Sequence, residues 1–477
     1  MKKILFTILL SLTIFAGHTQ SVNKLKKELL SSIENKSSDL ISVSDKIWEA
    51  AEVAFREEKS ANYLIDYAEK NGFKIEKGLA GIPTAFTATY GEGKPVIGII
   101  GEFDALPGLS QTTVPFKNEL IEGGAGHGCG HNLFGTASMG AAVAVKELIE
   151  KGELKGTIKY FGTPAEEKFF GKLWMIREGV FDNIDIVMDW HPADKTEANV
   201  QPSLALVDFM VEFSGQSAHA SADPWNARSA SDALELYTHG INSYREHVKP
   251  SVRIHYHIQD AGQVVNVVPD YSRIWVRVRD ITREGLVPVY NQVQKMAGGA
   301  AIMANVDHKV SLISGIHDLL PNRIGGAAMQ KNLEILGDIE YNEEELSFAY
   351  DMQKANGKPL EGIDGKIRPL RETLESPGGG STDVGDVSYN IPVVSLAATV
   401  APKGVPWHSW SVVASSGMSI GHKGMIHAAK ALGMTMIDIF KDEKLREEIK
   451  KEFDNRIGDY IYDPFLNPGP PPLDYED

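Results

Sequence analysis

Between residues 22 and 80, apolar positions recur at spacings of three and four. SVNKLKKELLSSIENKSSDLISVSDKIWEAAEV and KSANYLIDYAEKNGF each carry one such stripe, which predicts helices. VIGIIGEFDALPG then brings a β-branched apolar run that stops at Asp, Pro and Gly, the pattern of a buried strand entering a loop. A glycine-rich stretch leads into LFGTASMGAAVAVKELIEKG, a helix of small residues closed by glycine. Two further apolar runs, TIKYFGTPAEE and IDIVMDWHP, follow with helical sequence between them. Fully apolar strands alternating with helices predict a mainly parallel sheet flanked by helices.

From about residue 203 to 318 the pattern changes. LALVDFMVEFSG, RIHYHIQDAG, SRIWVRVRD and HKVSLISG alternate apolar with polar residues, as strands with one wet face do. With helical segments at 225–246 and 284–303, the order is β-α-β-β-α-β, an α+β ferredoxin-like unit. Helix-and-strand alternation resumes near residue 320 and includes PVVSLAATV, so the small unit is inserted into the larger one. The expected organisation is a leader over 1–19, catalytic segments 22–202 and 319–460, the insert 203–318, and a proline-rich tail 461–477.

Composition narrows the function. The chain has 477 residues, 43% of them hydrophobic, and a formal net charge of −16. It has no Lys/Arg run, which sets nucleic-acid partners aside. In MKKILFTILLSLTIFAGHTQ, Lys2 and Lys3 precede the apolar run Ile4–Phe15. That run is far short of the ~20 residues that span a bilayer, so a secretory leader cleaved near Gly17 to Gln20 is expected rather than a membrane anchor. The mature chain is expected to be soluble, without a membrane span, and periplasmic or secreted. Cys129, within GHGCGHN, is the sole cysteine. Without a second thiol it is a buried inert group, a nucleophile or a metal ligand.

Chemistry in an open parallel sheet collects outside the carboxyl ends of its strands. Those ends supply Asp104, Glu166, Glu167, His191 and, beyond PVVSLAATV, His408; Cys129 and His131 begin a neighbouring helix. Taken singly, each also fits a solvated turn or a hydrogen-bonded core position. Together, thiolate, imidazole and carboxylate on one rim make a divalent-metal ligand set, with zinc favoured by the sulfur. Adjacent side chains leaving a strand point in different directions. One glutamate of the pair can therefore bind metal while the other acts as a base, the machinery of amide hydrolysis.

GEFDALPG, GHGCGHN, GTPAEE, the DWHP ending and WHSW, in that order, resemble the co-catalytic metallopeptidase and amidohydrolase family of aminoacylases, hippurate hydrolases and auxin-conjugate hydrolases. GHGCGHNLFG, GGGSTDVGDVS and PWHSW are most like its branch acting on p-aminobenzoyl-glutamate. The resemblance implies two divalent metals, zinc or alternatively Mn, Co or Ni, held by Cys129, His131, Glu167, His191 and His408. Glu166 would be the general base and Asp104 would orient a ligand. Glu102 stands where many relatives have a metal-binding histidine. The insert would be a dimerisation (lid) domain, and His219, in GQSAHASADPW, would stabilise an oxyanion in the partner's active site. Asn266 matches a family asparagine near that oxyanion. Arg228 would meet a substrate carboxylate or form a surface salt bridge, and Ser381 and Thr382, in a glycine-rich turn, would donate hydrogen bonds to substrate. The implied activity is hydrolysis of N-acyl or N-aroyl amino acids or small peptides by a homodimer, or by a heterodimer with a related chain. A dipeptidase or aminoacylase of other specificity, and a non-catalytic peptide-binding protein on the same scaffold, are the alternatives.

Overall fold

The computed structural model describes residues 22–372 and 380–475, so the expected leader lies outside the described residues. One sheet has seven strands: β1 (Lys74–Lys77), β2 (Phe86–Glu92), β3 (Val96–Gly101), β4 (Gly156–Gly162), β5 (Ile186–Ala193), β6 (Glu197–Asn199) and β11 (Val393–Thr399). Their order is β1-β2-β4-β3-β5-β11-β6. The central pairs β4–β3, β3–β5 and β5–β11 are parallel, and β1, β2 and β6 pair antiparallel at the margins. β1 lies in the stretch where helices were expected. KIEK has a single apolar residue among charged ones, so no period is legible in it, and pairing with β2 makes it a strand.

β7 (Ala205–Ser214), β8 (Arg253–Asp260), β9 (Tyr271–Asp280) and β10 (Asp307–Ile316) form a separate antiparallel sheet in the order β10-β7-β9-β8. With the helices Ala230–Tyr244 and Arg283–Ala304, this is the β-α-β-β-α-β order read from the sequence. Val207, Phe209, Val211, Ile274, Val276 and Val278 turn one face into a core shared with those helices. The fold is thus α/β with an inserted ferredoxin-like unit, the class expected.

The larger core fixes the rim that matters for chemistry. Trp190, Tyr160, Phe86, Phe103, Phe134 and Phe161 are fully buried, at about 1.5–3 kcal/mol each for such side chains. The helix His131–Glu150 approaches the sheet closely because of its small residues. A Cβ on Gly135 would stand 2.7 Å from the Glu102 carbonyl oxygen. The first turn of the helix is thereby held against the end of β3. No helix among the described residues is long and apolar enough to cross a membrane.

The described part of the C-terminal segment is docked onto both sheets' surroundings. Phe465 bridges Gly315 of β10, and the Arg283 guanidinium lies 3.4 Å from the Phe465 ring centroid. Farther on, the Tyr475 hydroxyl donates to the Ala54 carbonyl at 2.6 Å, and its ring packs 4.7 Å from Phe169. The segment therefore ties the small sheet to the loop that follows Glu166 and Glu167.

Candidate metal centre

Three strand ends and two helix starts meet on a single rim. Glu102, Phe103 and Asp104 leave β3, a short turn after β4 delivers Glu166 and Glu167, and His191 lies near the end of β5. His408 precedes the helix Trp410–Ser416 beyond β11, and His131 opens the helix that follows Cys129. Two non-glycine residues here take left-handed backbone, Ala165 (φ 61°) and His408 (φ 51°), at about 1–3 kcal/mol each. Their surroundings hold them there: Ala165 N donates to Glu57 Oε1 at 2.9 Å, and His408 N donates to the Gly128 carbonyl at 3.0 Å.

The candidate ligand atoms form two groups that share one sulfur. Those of Cys129, His131 and His191 all lie within 4.8 Å of one another, and so do those of Cys129, Glu167 and His408. Cys129 Sγ is 3.5 Å from His191 Nε2, and His408 Nε2 is 3.5 Å from Glu167 Oε2. Glu102, His131 and Glu166 make a third such group. Of the two histidines flanking Cys129, only His131 joins; His127 bonds the Ile47 carbonyl at 3.0 Å.

Surrounding groups aim these ligands. His131 Nδ1 bonds Asp104 Oδ1 at 2.8 Å, and Asp104 Oδ2 accepts the Glu167 backbone N–H at 2.9 Å. His191 Nδ1 donates to the Pro192 carbonyl at 2.7 Å. With Nδ1 engaged on each imidazole, Nε2 turns into the centre, toward Glu102 Oε2 at 3.2 Å for His131 and toward Cys129 Sγ at 3.5 Å for His191. Lys172, fully buried, reaches Glu102 Oε1 at 2.7 Å and Asp383 Oδ1 at 2.6 Å.

The local charge balance is unfavourable for the protein alone. Burial pushes Glu167 up to about 7, against the opposing pull of His131. Glu166 is driven well above the ordinary carboxylate range by burial and by Glu102 and Glu167. Burial and Glu167 push the Cys129 thiol up, so a thiolate there calls for a cation beside it. His191 is held down at about 4 by burial and by His131, in the neutral form a metal ligand needs. Glu167 Oε1 is buried without a hydrogen-bond partner, and His131 Nε2 has only Glu102 Oε2 beside it, at 3.2 Å. Such atoms are costly unless something polar or cationic meets them. Sulfur, imidazole and carboxylate donors with an excess of buried acid fit divalent cations.

The remaining residues singled out from sequence lie elsewhere. His219 is exposed on the small unit, its Nδ1 accepting from Ser221 N and Ala222 N. Asn266 is beside it, its carbonyl accepting from Ala220 N at 3.0 Å. Arg228 donates through Nη1 to the carbonyls of Trp225 and Ala227, within its own loop. Thr382 Oγ1 accepts from Val384 N, and Ser381 Oγ accepts from Arg279 Nη1 at 3.1 Å. Gly378 and Gly379 of that turn lie outside the described residues. Four residues were missed from sequence: Glu57, Lys172, Arg279 and Asp383. Only Arg279 carried a local signal, as one of the arginines alternating along β9.

The profile of Peptidase family M20/M25/M40 matches residues 98–329. The chain is 37% identical over 443 residues to one of the two chains of the p-aminobenzoyl-glutamate hydrolase of Escherichia coli strain K12, covering 86% of this chain and 91% of that protein. It therefore belongs to the M20 family and is a metal-dependent hydrolase. The Xaa-Arg dipeptidase of Mus musculus is 27% identical, over 90% of this chain and 92% of its own length. A dinuclear metal binding peptidase of the family from Bacillus subtilis shares the fold, with TM-score 0.59 and 18% identity over 85% of this chain and 99% of that one.

Proposed function

We propose that the chain is an exported, dimeric hydrolase that holds two divalent cations, zinc favoured by the sulfur. It cleaves the amide of an N-acyl or N-aroyl amino acid or small peptide, with p-aminobenzoyl-glutamate the first substrate to try. The observation that carries this is the pair of ligand groups sharing Cys129, with Glu166 next to the ligand Glu167. The activity for which the Escherichia coli relative is named supports the substrate class. That relative is one part of a two-chain hydrolase, which leaves a heterodimer beside the homodimer. Export rests on the leader-like residues 1–19.

Bound cations would polarise the scissile carbonyl and acidify the attacking water. Cys129, His131, Glu167, His191 and His408 would hold them. Glu166 takes the water's proton as the C–O bond forms and returns it to the amine nitrogen as the C–N bond breaks, releasing acid and amine. Asp104 orients His131 and Glu167. Arg279, tied to Ser381 and close enough to His408 to depress that histidine's pKa, is the guanidinium for the substrate's free carboxylate. His219 and Asn266, neighbours on the exposed surface of the small unit, would serve the oxyanion in a partner's site.

The test is a panel of N-acyl amino acids and dipeptides offered to metal-loaded protein, with metal content measured alongside. Glu166→Gln should lower kcat about 10²–10⁴-fold while retaining metal. Unchanged hydrolysis would reject Glu166 as base. No turnover of any amide by the wild type would favour a binding protein.

A further inference from the structure

The turn that carries Glu166 and Glu167 ends on two phenylalanines in left-handed backbone, Phe169 (φ 79°) and Phe170 (φ 61°), a conformation that bulky residues rarely adopt. Gly171 N donates to the Ala165 carbonyl at 3.1 Å and closes the turn on itself, so a shift of either phenylalanine is passed to the two glutamates. Residues in such backbone persist only where their surroundings over-determine them. Here the surroundings come from two distant stretches of chain.

The first is the segment just before the helix Glu58–Lys70. Phe55, itself left-handed (φ 61°), stacks on Phe169 with ring centroids 5.4 Å apart and planes 12° apart. Glu57 Oε1 accepts from Ala165 N at the other end of the turn. The second is the C-terminal segment. Leu466 packs against the cluster of Phe170, Leu173, Leu206 and Ile316, where the turn meets the small sheet. Farther on, Tyr475 joins the two stretches. Its ring meets the Phe169 ring at 60° and its hydroxyl donates to the Ala54 carbonyl. Arg56 Nη2 donates to the Tyr475 carbonyl at 3.2 Å, and the Lys168 ammonium stands 4.0 Å from the centre of the tyrosine ring. One half-buried side chain thus touches residues flanking Phe55 and two residues of the turn.

We propose, building on the metal centre and the hydrolase reading above, that Tyr475 is a positioning residue. Its ring clamps the stack of Phe169 on Phe55 and so fixes Glu167 for the metal and Glu166 for the water. Phe169 is two positions beyond the ligand and three beyond the base. Glu167 Oε1 has no hydrogen-bond partner among the described residues, so the backbone of the turn decides where that carboxylate points. The clamp acts on that backbone from both sides, through the ring on Phe169 and through the hydroxyl on the segment that bears Phe55 and Glu57.

The test compares Tyr475→Ala and Tyr475→Phe with the wild type. In competition with a chromophoric chelator, Tyr475→Ala should hold the weaker of its zinc ions about tenfold less tightly. At saturating zinc its kcat on N-acyl amino acids should fall roughly tenfold or more, with KM unchanged within about twofold. Tyr475→Phe keeps the ring on Phe169 and should recover most of both. The metal-free melting temperature of Tyr475→Ala should fall by less than about 4 °C. Wild-type zinc affinity and kcat in Tyr475→Ala would overturn the clamp. So would losses that Tyr475→Phe shares in full, or losses matched by collapse of the metal-free fold. If the wild type binds zinc but hydrolyses no amide, the hydrolase reading falls, and the chelator competition alone decides the clamp.

Discussion

Lys172→Met removes the one cation that two buried carboxylates share. Lys172 Nζ lies 2.7 Å from Glu102 Oε1 and 2.6 Å from Asp383 Oδ1, and all three side chains are at most 1% exposed. Methionine keeps the volume and apolar stem, so little of the effect comes from packing. Breaking a buried pair by deleting one partner costs about 3–5 kcal/mol. Against typical stabilities of about 5–15 kcal/mol, that is a large fraction. The loss has a sign with pH. Burial raises Asp383 to about 7 even with Lys172 pulling it down, and without Lys172 it rises further. A carboxyl that binds its proton more tightly folded than unfolded stabilises the fold at low pH and loses that contribution as pH rises through the folded value. The penalty of the substitution is therefore full above that value and shrinks as pH falls toward the unfolded one. Denaturant unfolding of both proteins at about pH 5 and about pH 8.5 measures it, with chelator present to exclude metal linkage. A loss below about 1 kcal/mol at both pH values, or a larger loss at pH 5, would refute the electrostatic reasoning.

Asp104→Asn leaves His131 a weaker partner and should reduce metal affinity about 10–100-fold in competition with a chromophoric chelator; unaltered affinity would contradict its orienting role. Glu57 is raised to about 8 by burial and by Asp104, while its two oxygens accept from Ala165 N and Thr84 Oγ1. Wild-type stability should therefore decline as pH rises from about 4.5 to 8, and Glu57→Gln should flatten that decline in thermal melts; parallel curves would count against it. The N-terminus of the protein recovered from expressing cells should begin near Gly17 to Ser21, and an intact leader on all of the protein would contradict export.

The parts of the fold legible in the sequence were those with a strong local pattern. β3, β4, β5 and β11 are apolar along nearly their whole length, and β7 and β9 alternate cleanly. Because strand ends place chemistry, Asp104, Glu166, Glu167, His191 and His408 could be picked from the chain, and the structure brings them to one rim. The supporting charges had no such signal. Lys172 and Asp383 are 211 residues apart, and Glu57 reaches Ala165 across 108. Each reads locally as an ordinary surface residue, and only the folded sheet makes them partners. Arg228 illustrates the converse. Its motif suggested a carboxylate partner, yet its guanidinium serves its own loop while Arg279 faces the rim.

Cobalt substitution tests the cage most directly. Loaded anaerobically with Co²⁺, the wild type should bind two ions per chain and show a near-ultraviolet thiolate-to-metal charge-transfer band, and Cys129→Ser should lose that band. Two bound cobalt ions with no sulfur band, or a band that survives in Cys129→Ser, would contradict a centre built around Cys129.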